Sequence, residues 1–231
     1  MNFRREQLLK IIIETYIATA LPVGSAALVA RSKLNLSSAT IRKEMSFLEN
    51  EGLIEQPHTS AGRIPTEKAY RLYADTALTQ SETRLPKITE LLERLRSSNL
   101  SKDQLPKQLA KLVAEITGET VILGFGRHDV YHTGIAHLFS KPEFSERARV
   151  TTLSLVVDRF EEIVERLYEN VPDFTIAIGS QCPFGSDCAA IFTSAVMKKS
   201  SLLLILLGPL RMNYRYNINV IKQTQAFLKE I

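Results

Sequence analysis

The hydrophobic pattern of this sequence shifts just after Gly118, from mainly helical spacing to alternating strand and helix signals, and that shift bounds what the chain can fold into. Before it, apolar residues recur every three or four positions, as on amphipathic helices. After it come short unbroken apolar runs of the kind found in buried strands. The expected class is α+β, with helices first and an α/β domain second. The hydrophobic share of 45% and charged share of 23% are those of an ordinary soluble globular protein. The longest apolar run, Leu202 to Leu207, is far too short to span a bilayer, and no apolar signal core follows Met1-Asn2-Phe3-Arg4-Arg5. With only two cysteines, a cytoplasmic protein without a membrane partner is expected.

Leu9, Ile12, Ile13, Tyr16 and Ile17 fall at helical spacing over residues 4 to 20, and Pro22 and Gly24 end that helix. Ser25 is placed to cap a short second helix to about Ser32, with Leu28 and Val29 turned inward. Lys33-Leu34-Asn35-Leu36 is the turn before a third helix, which Ser37 caps and Gly52 stops. Its apolar stripe is Ile41, Met45 and Leu48. Leu53–Gln56 and Arg63-Ile64 then flank the hairpin loop Pro57-His58-Thr59-Ser60-Ala61-Gly62, and Thr66 caps a helix carrying Tyr70, Tyr73 and Ala77. Three helices, a two-stranded wing and a closing helix are the order of a winged helix-turn-helix. Further along, helices are expected through Ile88, Leu91, Leu92 and Leu95, through Leu105 to Ile116, over Arg149 to Tyr168 and over Ile218 to Lys229. Strands are expected at Val121–Phe125, Val130–His132, Phe174–Ile178 and Leu202–Leu207.

The formal charge of +4 permits a nucleic-acid partner without requiring one, and local clustering says more. Arg31, Lys33, Arg42 and Lys43 lie in a stretch with no acid, and Glu44, Glu49, Glu51 and Glu55 follow in one with no base. In a helix-turn-helix the N-terminal turn of the second helix meets base edges in the major groove. Here that turn holds Ser37, Ser38, Ala39, Thr40, Arg42 and Lys43, with the apolar stripe on the opposite side. Arg42 suits a bidentate contact with guanine, Ala39 or the Thr40 methyl a thymine methyl, and Lys43 a phosphate. At the wing, His58, Thr59, Ser60 and Arg63 are the candidate contacts, Arg63 for phosphate or the minor groove. The bland counterpart is a solvated helix face and an ordinary hairpin, since winged helices also serve as protein–protein modules.

These residues carry a resemblance. Pro22-Val-Gly-Ser25, Leu36-Ser-Ser-Ala-Thr-Ile-Arg42 and the run from Leu53 through Pro57-His-Thr-Ser-Ala-Gly-Arg-Ile-Pro-Thr66 resemble the bacterial heat-inducible transcription repressor family, HrcA. Gly134-Ile-Ala-His-Leu138, Pro142-Glu-Phe144, Ile178-Gly179 and Gly208-Pro-Leu-Arg-Met-Asn-Tyr214 resemble its C-terminal part more loosely. The resemblance implies a homodimeric repressor of chaperone operons on an inverted-repeat operator, kept active by the general chaperonin and inactivated by heat. The polar, charged stretch from Thr79 to Pro106 sets the expected division: 1–78 winged-helix DNA-binding domain, 79–106 helical linker and 107–231, which the resemblance makes a reduced GAF-like regulatory and dimerisation domain. The chain is shorter than is typical of that family, and the difference falls between about Gly118 and Tyr131, which puts the usual dimer segment in question. The helix of Ile88 and Leu92 is a substitute seam to consider, against simple packing on its own core. The family also favours Asp near Asn213 and Thr near Leu210.

Other constellations are weaker. His128-Asp-Val-Tyr-His132 imitates a zinc-protease helix motif, but its residues favour a strand, where positions i and i+4 sit roughly 13 Å apart. No metal, cofactor or catalytic residue is expected, and the chain does not read as an enzyme. Cys182 and Cys188 flank a loop and read as inert side chains, with a regulatory thiol or disulfide as the alternative. Gly124-Phe-Gly126 is a weak glycine signal without a third glycine. Arg211 and Tyr214 are candidates for a small-ligand pocket, which would make the chain a ligand-controlled one-component regulator; the alternative is a tight turn with Arg211 in an internal salt bridge.

Overall fold

Residues 2–31, 36–59, 61–80, 84–101, 103–168, 173–197 and 200–230 are described in a computed structural model, in which the chain divides into two units, Met1–Thr79 and Gln80–Ile231. The fold is α+β, with ten α-helices and a five-stranded sheet among the described residues. The expected turn at Lys33 to Asn35 and the wing residue Ser60 lie outside the described residues.

In the first unit, α1 (Phe3–Thr19) is capped by Asn2, whose side chain accepts from the Arg5 amide at 3.0 Å. It ends at Ala20, which adopts a left-handed φ of 54°, two residues before the Pro22 stop signal. α2 (Ser25–Arg31) and α3 (Ser38–Asn50) follow. Ser37 caps α3 as the sequence predicts, accepting from the Thr40 amide at 3.2 Å. At the other end Leu53 N–H bonds the Leu48 carbonyl at 2.9 Å and Gly52 N–H that of Glu49 at 2.9 Å. With Gly52 at φ 68° this is a Schellman stop, and Leu48 and Leu53 are both buried beside it. Ile41, Met45 and Leu48 are buried as expected, together with Leu9, Ile12 and Ile13 of α1. Val29 is a correction: it is 42% exposed, because a seven-residue helix turns one narrow face inward and Leu28 occupies it. β1 (Ile54–Glu55) and β2 (Ile64–Pro65) pair antiparallel, and α4 (Glu67–Thr79) begins at Thr66, whose hydroxyl accepts from the Ala69 amide.

The second unit opens with α5 (Pro86–Arg96) and α6 (Gln104–Thr117), closed by Gly118 at φ 66°. α5 buries Ile88 and Leu92 and packs against α6 and α10 (Tyr214–Lys229). β3 (Thr120–Gly124), β4 (Val130–Thr133), β5 (Phe174–Ile178), β6 (Cys188–Met197) and β7 (Ser200–Pro209) form one antiparallel sheet in the order β4-β3-β7-β6-β5. The stretch between Gly118 and Tyr131 falls in the β3–β4 hairpin, Thr120 to Thr133, closed where Phe125 N–H donates to the Asp129 carbonyl. α6 and α10 pack against β3 and β6, while α7 (Ile135–Phe139) and α9 (Phe160–Tyr168) pack against β3 together with β7 and β4 respectively. Leu203, Ile205 and Leu207 share a core with Leu138, Phe160 and Val164; Leu202, Leu204 and Leu206 alternate with them and are buried too. A strand covered on both sides reads as an unbroken apolar run, which is why β7 is so conspicuous in the sequence. The long helix expected over Arg149–Tyr168 is instead two, α8 (Arg147–Asp158) and α9, broken at Arg159.

Candidate nucleic-acid interface

The N-terminal turn of α3 stands out of the first unit. Ser37, Ser38, Ala39, Arg42 and Lys43 are exposed and Thr40 is half-buried. Ser37 and Thr40 hydroxyls lie 2.9 Å apart, so Thr40 is engaged with the cap at both its amide and its side chain. Glu44, the first residue of the acidic stretch, is turned inward, with the Arg5 Nε at 2.7 Å and the Arg4 guanidinium at 3.8 Å. Arg5 also lies over the Phe47 ring, 3.4 Å from its centre. This acid is therefore neutralised from α1, and the base-rich turn beside it is left as the exposed charge.

Ser25 does not act as the cap the sequence suggests. It is the first residue of α2, where the Gly24 carbonyl accepts from the Leu28 amide at 3.3 Å. The Ser25 hydroxyl instead meets the Ser38 hydroxyl at 3.4 Å and accepts from Arg42 Nε at 3.3 Å. An open cleft of about 450 Å³ lies here, lined by Ser25, Arg42, Ser46, Gly62 and Arg63 among others.

The wing is stitched to the loop before α2. Val23 and Arg63 exchange two backbone hydrogen bonds, at 2.8 and 2.9 Å, in an antiparallel bridge. Gly62 permits it: a Cβ there would come within 2.5 Å of the Val23 carbonyl carbon. Gln56 shapes the loop by donating from Nε2 to the carbonyls of Thr59 and Ala61, at 2.9 and 3.0 Å. Nothing in the sequence marked Gln56 for this work, since a lone Gln in a strand carries no signal. His58 and Thr59 are exposed. Arg63 sits at the base of the wing, half-buried, with its Nε 3.0 Å from the Glu49 carboxylate of α3.

The remaining sequence candidates lie in the second unit. Arg211 donates to both carboxylate oxygens of Glu143, and Tyr214 is fully buried with its hydroxyl on the Leu210 carbonyl at 2.7 Å. Both are committed to contacts within the unit, as in the tight-turn alternative. Asn213 caps α10, accepting from the Tyr216 amide at 3.2 Å, so Asn fills the capping role that Asp would. His132 lies on β4 with its ring edge-to-face against Phe160 at 5.6 Å, whereas His128 lies in the preceding hairpin loop, 3.9 Å from Glu165. Among the described residues no group of three or more His, Cys, Asp or Glu could hold a metal ion. Cys182 and Cys188 are buried, and burial pushes each thiol up to about 12, which suppresses the reactive thiolate. No helix among the described residues is long and apolar enough to cross a membrane.

Comparison with known proteins places the chain in a family. A crystal structure of a hypothetical protein at 2.2 Å resolution shares the fold, with a TM-score of 0.84 at 20% identity over all of this chain and 98% of that one. The heat-inducible transcription repressor HrcA of Acetivibrio thermocellus is 44% identical over 117 residues, 51% of this chain and 33% of that protein. The repressor of the same name from Thermobifida fusca is 34% identical over 185 residues, 74% of this chain and 51% of that protein. The chain thus spans a third to a half of the length of these curated relatives. Residues 72–218, more than half of the chain, match the family described as HrcA protein C terminal domain. The chain belongs to the HrcA family.

Proposed function

We propose that the chain is a sequence-specific DNA-binding transcriptional repressor of heat-inducible genes, and that its first unit is a winged helix-turn-helix. On this reading α2 and α3 are the helix pair, α3 enters the major groove, and the ribbon of β1 and β2 with its 56–63 loop is the wing. The observation that carries it is the N-terminal turn of α3, whose polar and basic side chains face outward beside the wing while the apolar stripe is buried. Family membership supports it, since the relatives compared above are named heat-inducible transcription repressors. Ser38, Thr40 and Arg42 are then the base-facing residues, and Ser37, Lys43 and the first amides of α3 hold phosphate. His58 and Thr59 follow the DNA backbone from the wing, Ser60 being a sequence candidate outside the described residues, and Arg63 braces the wing through Glu49.

The second unit reads as a reduced GAF-like domain with the regulatory role. A homodimer on an inverted repeat, with recognition helices about one DNA turn or a multiple of it apart, belongs to the same reading. So does maintenance by the general chaperonin, and both rest on the family resemblance.

The test is binding of the purified chain to an inverted-repeat operator from a chaperone promoter and to a scrambled duplex, along a temperature ramp, with and without chaperonin. Specific binding that fades on heating and returns with chaperonin is expected. Equal affinity for the two duplexes would remove the sequence-reading role.

A further inference from the structure

We propose that Ser25 is a specificity-determining positioning residue, whose hydroxyl holds Arg42 by its Nε and so presents the Nη1–Nη2 edge of the guanidinium to a guanine. This rests on the reading of α3 as the DNA-reading helix. Three observations meet at this point. Ser25 Oγ accepts from Arg42 Nε at 3.3 Å, and it lies 3.4 Å from Ser38 Oγ. One hydroxyl of α2 is therefore tied to two residues in the N-terminal turn of α3. Arg42 and Ser25 also line the cleft of about 450 Å³ that Gly62 and Arg63 of the wing share. Finally, a Cβ at Gly24 would meet nothing within 4 Å, so no protein atom fills the space directly beside Ser25.

The chemistry of the two groups explains why this bond bears on specificity rather than on stability. A serine hydroxyl accepts through two lone pairs and donates one proton, so it can take Nε–H and still engage Ser38. Arginine has five N–H donors in a rigid fork; occupying Nε–H leaves the four on Nη1 and Nη2, which match guanine O6 and N7. Arg42 is exposed, so the bond adds little to folding, as is usual for charged groups in contact with water. What it changes is freedom. An unanchored arginine side chain samples many rotamers, and part of that freedom is lost on binding. Holding the guanidinium beforehand lowers that loss for a base pair that fits the held geometry and for no other. A generic phosphate contact gains nothing comparable, because a phosphate accepts a guanidinium from many directions.

The experiment is a double-mutant cycle on the full chain. The wild type first selects a duplex from a randomised library, and a permuted copy of that duplex is the control. Affinities are then measured for the wild type, Ser25→Ala, Ser25→Thr, Arg42→Ala and the Ser25→Ala/Arg42→Ala pair, with circular dichroism and thermal unfolding on each. Ser25→Ala is expected to weaken the selected duplex roughly fivefold, leave the permuted one unchanged and broaden base preference at the position Arg42 reads. Ser25→Thr keeps the hydroxyl and should restore the wild-type ratio. In the Arg42→Ala background, Ser25→Ala should cost nothing further. A loss of equal size on both duplexes, or one that persists without Arg42, would show Ser25 holding phosphate on its own account and overturn the proposal. So would a folded Ser25→Ala chain that binds and discriminates like the wild type. If the wild type selects no consensus at all, the DNA-reading role fails first, and it does so before any variant is compared.

Discussion

Glu119, the residue before β3, shows how much a single burial can set. It is 3% exposed, its carboxylate has Lys141 Nζ at 3.2 Å, and a Cβ on Gly208 would come within 2.5 Å of its Oε2. The missing side chain at Gly208 is what gives the carboxylate its place. Burial outweighs every other influence and raises its pKa from 4.5 to about 7; Lys141 and then Arg211 pull the other way, while Glu143 adds to the rise. The fold thus prefers the protonated acid. An acid whose folded pKa exceeds its unfolded one contributes stability that is complete below the unfolded value and is lost as pH rises through the folded value. The window is therefore from 4.5 to about 7, with stability falling upward through it. Its depth is on the order of 3 kcal/mol, from the 1.36 kcal/mol that each pH unit represents. Urea unfolding of the wild type and Glu119→Gln at acid and neutral pH should show the wild type losing more than the variant on going up. Parallel profiles across the window would mean that Glu119 is ionised throughout.

At the scale of elements, the wing depends on the approach of two backbones. Gly62→Ala forces a methyl against the Val23 carbonyl carbon and opens the two-bond bridge between Val23 and Arg63. It should destabilise the first unit by about 2 kcal/mol, as a loss of paired backbone groups with local strain does. Gly24→Ala adds a methyl into open space and should shift unfolding by only a few tenths of a kcal/mol. Two equal unfolding midpoints would show that the bridge contributes nothing. The same dependence on neighbours marks where the sequence stops being readable. α3 was legible because cap, stripe and stop signal agree: Ser37, then Ile41, Met45 and Leu48, then Gly52. β7 was legible because both its faces are apolar. β6, with Ala189, Ala190, Thr193, Ser194 and Ala195, has too little bulk to declare a strand, and pairing with β5 and β7 on its two edges makes it one. The break between α8 and α9 has no Gly or Pro to announce it. It falls at Arg159, next to Phe160, which turns into the core edge-to-face with Phe184 at 5.7 Å. In the candidate site the polar turn of α3 was legible from spacing. The Ser25–Arg42 bond and the Gln56 brace were not, because each joins elements whose proximity the local pattern does not encode.

For the whole molecule, the two units divide the labour that the proposed function requires. All the residues assigned to DNA fall between Ser25 and Arg63, in the first unit, while the second has its own core on both faces of a five-stranded sheet. A repressor that must fail on heating needs one part whose stability is limiting, and a regulator only marginally stable at its working temperature meets that need. If the second unit is that part, a cavity in its centre should lower the temperature of release without touching the reading surface. Leu204, on the central strand β7 and fully buried, is the place to make one. Leu204→Ala should cost about 2–5 kcal/mol and lower the unfolding temperature of this unit by roughly 10 °C. Operator affinity well below both transitions should stay near that of the wild type, because no assigned DNA contact has changed. The temperature at which the operator is released should then fall in step with the unfolding of the second unit, followed by calorimetry and fluorescence anisotropy on the same samples. Release at the wild-type temperature despite earlier unfolding would mean that the second unit does not report heat. The thermal limit would then lie in the first unit, where Leu48→Ala should move release instead.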